Sequence, residues 1–132
     1  MIVVDASVVC EGLFGSRLAA PARTALFDRG VSLCAPHLID LEVAQVVRRY
    51  TLKGAMSEQR ALQAIDDFLS LPIERFAHEF LLRRIWELRA NITAYDAAYI
   101  ALAEVLNAPL LTCDEKLASS PGHLAEIELI GH

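Results

Sequence analysis

Apolar residues along this chain follow two rhythms. Ile2-Val3-Val4 and Leu110-Leu111-Thr112-Cys113 are short, uninterrupted runs, as expected of strands buried on both faces. Elsewhere apolar positions recur every three or four residues, which predicts helices. One covers Ala6 to Phe14. A second covers about 18–29, with Pro21 near its first turn and Gly30 as its stop. A short strand at 32–35 closes at Pro36. A long helix over 37–53 follows, with Ile39, Val43, Val46, Val47 and Tyr50 on one face and Gly54 at its end. Ser57 caps the next helix, which runs to about Leu69. A strand is expected at 72–76, helices at about 78–90 and 94–106, and a weak last strand at 128–130. Strands alternating with helices imply a parallel sheet with helices on both faces.

The length, 132 residues, fits a single domain over 1–132, and the 55% hydrophobic content argues against disorder. There are 12 basic against 17 acidic side chains, giving a net charge of -5. Binding nucleic acid by bulk charge is thereby excluded, so any such contact needs local patches. The acidity is uneven: residues 1–56 hold 6 basic and 5 acidic side chains, and residues 57–132 hold 6 and 12. Cys10, Cys34 and Cys113 form no C-x-x-C pair, which disfavours a disulfide framework or zinc ribbon and suits a reducing cytoplasm. The opening Met-Ile-Val-Val-Asp has no basic region and does not read as a secretion signal. The stretch 92–113 carries only Asp96 and Glu104 as charges, but both acids, Asn107 and Pro109 argue for a buried helix and strand rather than a membrane span.

Four acids carry the candidate chemistry. Asp5 and Asp114 each end a strand and begin a helix, so either serves as an N-cap when read singly. Asp96 lies three residues after Thr93, a capping-box spacing, yet shares a helix face with Ile100 and Ala103. A carboxylate on such a face must be hydrogen-bonded, paired or metal-bound. Glu42 lies mid-helix on the stripe Leu38, Glu42, Gln45, Arg49, where it is either solvated, paired with Arg49 or functional. Ligands of open parallel sheets bind beyond the carboxyl ends of the strands, where Asp5 and Asp114 stand. Carboxylates gathered there repel one another, and a divalent cation relieves the conflict. Oxygen ligands favour Mg2+ or Mn2+, and His37, His78, His123 and His132 show no zinc-ligand spacing. This chemistry is that of metal-assisted phosphodiester hydrolysis.

At these residues the sequence resembles a PIN-domain ribonuclease of the VapC toxin type. The resemblance runs through Val4-Asp5-Ala6-Ser7, Pro36 and Leu41-Glu42-Val43. It continues through Thr93-Ala94-Tyr95-Asp96-Ala97-Ala98-Tyr99-Ile100-Ala101-Leu102-Ala103 and ends in Leu111-Thr112-Cys113-Asp114-Glu115-Lys116-Leu117. It implies a three-layer α/β/α sandwich with a central parallel sheet. It also implies a Mg2+- or Mn2+-dependent endoribonuclease, acting as a homodimeric toxin on RNA and neutralised by a VapB-like antitoxin. Asp5, Glu42, Asp96 and Asp114 then match the acidic quartet. Asp5 and Asp96 would be the more direct ligands, with Glu42 and Asp114 holding metal-bound waters or a second ion. Ser7 and Thr112 would take supporting roles. An antitoxin that silences such a site should bring an Arg or similar cation to it.

Other features admit plainer readings. Arg48, Arg49 and Lys53, and likewise Arg83, Arg84 and Arg89, suit RNA phosphates or a solvated helix face. Tyr95, Tyr99, Leu102 and Leu106 form one stripe, expected to pack in the core or a dimer interface rather than to stack on bases. Competing functions are an aspartate-based, haloacid-dehalogenase-like phosphatase, a receiver-like domain with an acidic Mg2+ pocket, and an interaction module whose acids are caps. The phosphatase pattern wants a second Asp where Ser7 stands. The receiver pattern wants adjacent acids at the first strand and a phosphoacceptor after a middle one.

Overall fold

The computed structural model describes residues 1–131. Five parallel strands form one sheet: β1 (Ile2–Val4), β2 (Leu33–Pro36), β3 (Ile73–Phe76), β4 (Leu110–Thr112) and β5 (Ile127–Leu129). Their order is β3-β2-β1-β4-β5. The chain builds outward from β1 to β3, then returns to the other side of β1 for β4. That reversal makes the β1–β4 junction the switch point of the sheet, where a cleft opens beyond the strand ends. Val3 is in register with Leu110 and Val4 with Leu111, so Asp5 and the residues after Thr112 leave the sheet side by side.

The sheet is flanked by α1 (Ala6–Phe14), α2 (Ala19–Leu26), α3 (Ile39–Leu52), α4 (Glu58–Ser70), α5 (Leu82–Glu87), α6 (Ala94–Leu106) and α7 (Glu115–Ala118). The result is the three-layer α/β/α sandwich with a central parallel sheet that the sequence predicts. The innermost helix is α6, which packs on β1, β2 and β4. Every residue from Ala97 to Ala103 is buried on it, and four of those seven are alanines, which let the helix lie close to the strands. This explains why the stretch over 92–113 carries so few charges. With 13 residues, α6 spans about 20 Å at 1.5 Å per residue, short of a bilayer's hydrocarbon core. No helix among the described residues is long and apolar enough to cross a membrane.

Three boundaries differ from the pattern, each through a local hydrogen bond. Helix α2 stops at Leu26 rather than about Arg29, because the Asp28 carboxylate accepts the Gly30 N–H at 2.9 Å and turns the chain. Helix α3 begins at Ile39, since the His37 N–H still donates to Phe76 O and extends the β2–β3 ladder. The helix expected at about 78–90 is a 3-10 turn (Glu79–Leu81) leading into the short α5. There the Leu88 N–H is shared between Arg84 O and Ile85 O, tightening the end. Gly54 follows α3 with φ +75°, a conformation that ends the helix and that a side chain would strain.

Burial separates two positions three residues apart on α6. Leu102 is fully buried and Val105 is 58% exposed. Leu102→Ala is expected to lower unfolding free energy by about 2–5 kcal/mol, and Val105→Ala to change it by less than about 0.5 kcal/mol. Urea denaturation of both variants checks the difference.

Candidate active site

Asp5 passes directly from β1 into α1. It caps that helix, and its Oδ1 accepts the Val8 N–H at 3.2 Å. The same oxygen accepts the Ser7 hydroxyl at 2.5 Å, while Oδ2 accepts the Thr112 hydroxyl at 2.5 Å. Both hydroxyls also accept from the β4–α7 connection: Ser7 Oγ from the Cys113 N–H at 2.9 Å, Thr112 Oγ1 from the Asp114 N–H at 3.0 Å. Asp5 is therefore held by two residues from its own helix and one from the neighbouring strand. Carboxylate oxygens offer about four lone-pair directions in total, and these three donors leave one on Oδ2.

The other acids arrive on separate elements. Glu42 enters from the first turn of α3, half-buried, and its Oε1 accepts the Tyr99 hydroxyl at 2.6 Å. Asp96 lies in the first turn of α6, where its N–H donates to the capping Thr93 Oγ1 at 3.2 Å. Asp114 is exposed and caps α7, accepting the Lys116 N–H at 2.9 Å. Both cap readings thus describe the molecule, and capping leaves each carboxylate at the sheet's carboxyl edge. Glu42 makes no ion pair with Arg49; its hydrogen-bond partner is Tyr99, and its carboxylate is only half-buried.

Electrostatics tie the four together. Burial raises the Asp5 pKa above the usual carboxylate range, against the opposing pull of the Ser7, Thr112 and Val8 hydrogen bonds. Glu42 is raised chiefly by burial; the Tyr99 hydroxyl lowers it, and the charges of Asp96 and Asp5 raise it further. Asp96 is raised by burial and then by Asp114. Each acid is thus linked by repulsion to another of the set. Among the described residues no three acidic, histidine or cysteine side chains close tightly enough to enclose an ion by themselves. The donor set instead fits a hard divalent cation that keeps most of its waters and takes one or two carboxylates directly.

Sequence reasoning missed Tyr99 as a site residue. The expected single stripe with Tyr95 divides: Tyr99 is 1% exposed, with its hydroxyl on Glu42, while Tyr95 is 66% exposed and faces no core. The signal was available, since a buried phenol needs a polar partner. The second basic cluster is partly committed within the fold. Arg84 makes a bidentate pair with Glu104 at 2.8 and 2.9 Å, and Arg89 lies 4.4 Å from the Trp86 ring centre. His132 lies outside the described residues.

The PIN domain family matches residues 2–122. Ribonuclease VapC1 of Mycobacterium tuberculosis is 42% identical over 129 residues, 97% of this chain and 96% of the relative. Ribonuclease VapC12 of the same organism is 41% identical over 132 residues, 98% and 99% of the two chains. Among solved structures, VapBC2 from Rickettsia felis, bound to a DNA fragment from its promoter, superposes with TM-score 0.72. That match has 16% identity and covers 99% of this chain and all of that one, so it speaks to the fold. The parallel five-stranded sandwich is a PIN-like α/β fold. The chain belongs to the PIN-domain family and, within it, to the VapC ribonucleases. That family is divalent-metal dependent. The comparisons do not favour the phosphatase or receiver alternatives, and Ser7, where the phosphatase pattern wants an acid, instead donates to Asp5.

Raised carboxylate pKa values carry a sign for stability. Between the unfolded and folded pKa the native state holds more protons, so metal-free stability is greatest below that window and falls as pH rises through it. In EDTA, Asp96→Asn should lose less thermal stability than the parent as pH rises from the ordinary carboxylate range through neutrality, and should melt higher at the upper end. Equal slopes in melts across that range would contradict the raised Asp96 pKa, set first by burial and then by Asp114.

Proposed function

We propose that this chain is the toxin of a VapBC-type pair, hydrolysing RNA phosphodiester bonds with Mg2+ or Mn2+ at the β1–β4 switch point. What supports this reading is that Asp5, Glu42, Asp96 and Asp114 come from four separate elements to the carboxyl edge of the sheet, where Asp96 and Asp5 repel Glu42 and Asp114 repels Asp96. Asp5 and Asp96 would hold the cation most directly, and Glu42 and Asp114 would orient its waters or a second ion. Such a cation would activate a water and offset charge on the phosphate oxygen. Ser7 and Thr112 are positioning residues that fix both oxygens of Asp5. Tyr99 fixes Glu42.

The structural neighbours include a toxin–antitoxin complex from Klebsiella pneumoniae, with TM-score 0.64. For this chain we infer a VapB-like antitoxin that places an arginine among the carboxylates, replacing the cation's charge. The chain acts in the cytoplasm as a homodimer.

Purified protein should cleave RNA with Mg2+ or Mn2+ and not in EDTA. Asp96→Asn should lower the rate by about 100-fold or more, and Ser7→Ala or Thr112→Val by about 10- to 100-fold each. Cleavage undiminished by EDTA or by Asp96→Asn would refute the reading.

A further inference from the structure

A cavity of about 700 Å³ opens beside the acidic site, with Glu42 on its shared wall. Its other walls do not serve the carboxylates. Leu38, Leu41 and Val46 supply apolar surface, and Tyr95 supplies an exposed aromatic ring. His37, Gln45, Arg49 and His78 supply polar groups. Exposure is unusual for what lies here: Leu41 is 76% exposed and Tyr95 66%. Arg49 takes part in none of the ion pairs among the described residues. His78 Nδ1 is buried without a hydrogen-bond partner among the described residues.

Apolar surface, an aromatic ring, an amide and a cation together match a nucleotide. The ring and leucines suit a base face, Gln45 and the imidazoles suit base edges, and Arg49 suits a phosphate. The charge distribution favours the same occupant. On a chain of net charge -5, an arginine outside the ion pairs and beside a metal-binding acidic site offers phosphate a local cation. The volume lies within the usual range for a small-molecule site.

We propose that this cavity is a base-binding subsite that takes one unpaired nucleotide of the RNA adjoining the scissile phosphate, with Tyr95 stacking on its base and Arg49 on its phosphate. The proposal rests on the nuclease reading of the neighbouring site. The base that enters must be unpaired, because a paired base cannot leave its stack to enter the cavity without breaking the duplex.

Binding tests it apart from cleavage. The full-length Asp96→Asn protein, in which one repelling charge is removed and cutting is suppressed, is titrated with a fluorescently labelled single-stranded RNA pentamer in Mg2+. Adding Tyr95→Ala should weaken binding by about 5- to 100-fold, the loss of one base–aromatic stack, while Tyr95→Phe stays within about twofold of the parent. Arg49→Ala should weaken it and lower the salt dependence by about one phosphate contact. A duplex of the same sequence should bind no differently to the Tyr95 variants. Binding unchanged by Tyr95→Ala, or lost equally in Tyr95→Phe, overturns the subsite. So does a Tyr95→Ala protein whose sedimentation mass falls by half, since the patch then belongs to a second copy. Tyr95-dependent binding without metal-dependent cleavage by the parent chain sinks the nuclease reading alone. Cleavage with Tyr95-independent binding sinks the subsite alone.

Discussion

The hydrogen bonds between Asp5 and the hydroxyls of Ser7 and Thr112 fix everything that follows at the site. A carboxylate 6% exposed and lifted in pKa by burial is costly to keep charged. Three donors offset part of that cost and fix the orientation of both oxygens. Because Thr112 belongs to β4 and Ser7 also accepts from Cys113, the same bonds tie β1 to the strand across the switch point. Positioning of the acid and closure of the sheet are one arrangement.

Around that anchor the fold gathers charges that would otherwise stay apart. Residues 5, 42, 96 and 114 are delivered by a strand end, two first helical turns and a loop. Tyr99 links two of these deliveries, since it sits on α6 one turn beyond Asp96 and donates to Glu42 on α3. Repulsion among the acids is then a property of the folded chain, and it makes a divalent cation a stabilising partner as well as a reagent.

Much of this was legible in the sequence, for particular reasons. The runs at β1 and β4 are short and unbroken, and α1 and α6 begin and end where spacing and caps place them. Boundaries failed where a side chain or a shared N–H redirected the backbone, as Asp28 does after α2, because such bonds leave no periodic trace. The caps at Asp5 and Asp114 looked like rivals to a functional role. They prove compatible, since a capping carboxylate stands at a strand's carboxyl end by construction. Tyr95 and Tyr99 share a stripe in one dimension, but α6 is buried on so many sides that the stripe divides at its open first turn. Helical periodicity alone does not report where a helix emerges from the core.

The most direct test is a crystal structure of the chain grown with Mn2+, with the ion located by its anomalous scattering. The account predicts density at the β1–β4 switch point, coordinated by Asp5 Oδ2 and an Asp96 oxygen, with waters reaching Glu42 and Asp114. Strong density elsewhere, with Asp5 and Asp96 turned to separate partners at saturating Mn2+, would contradict it.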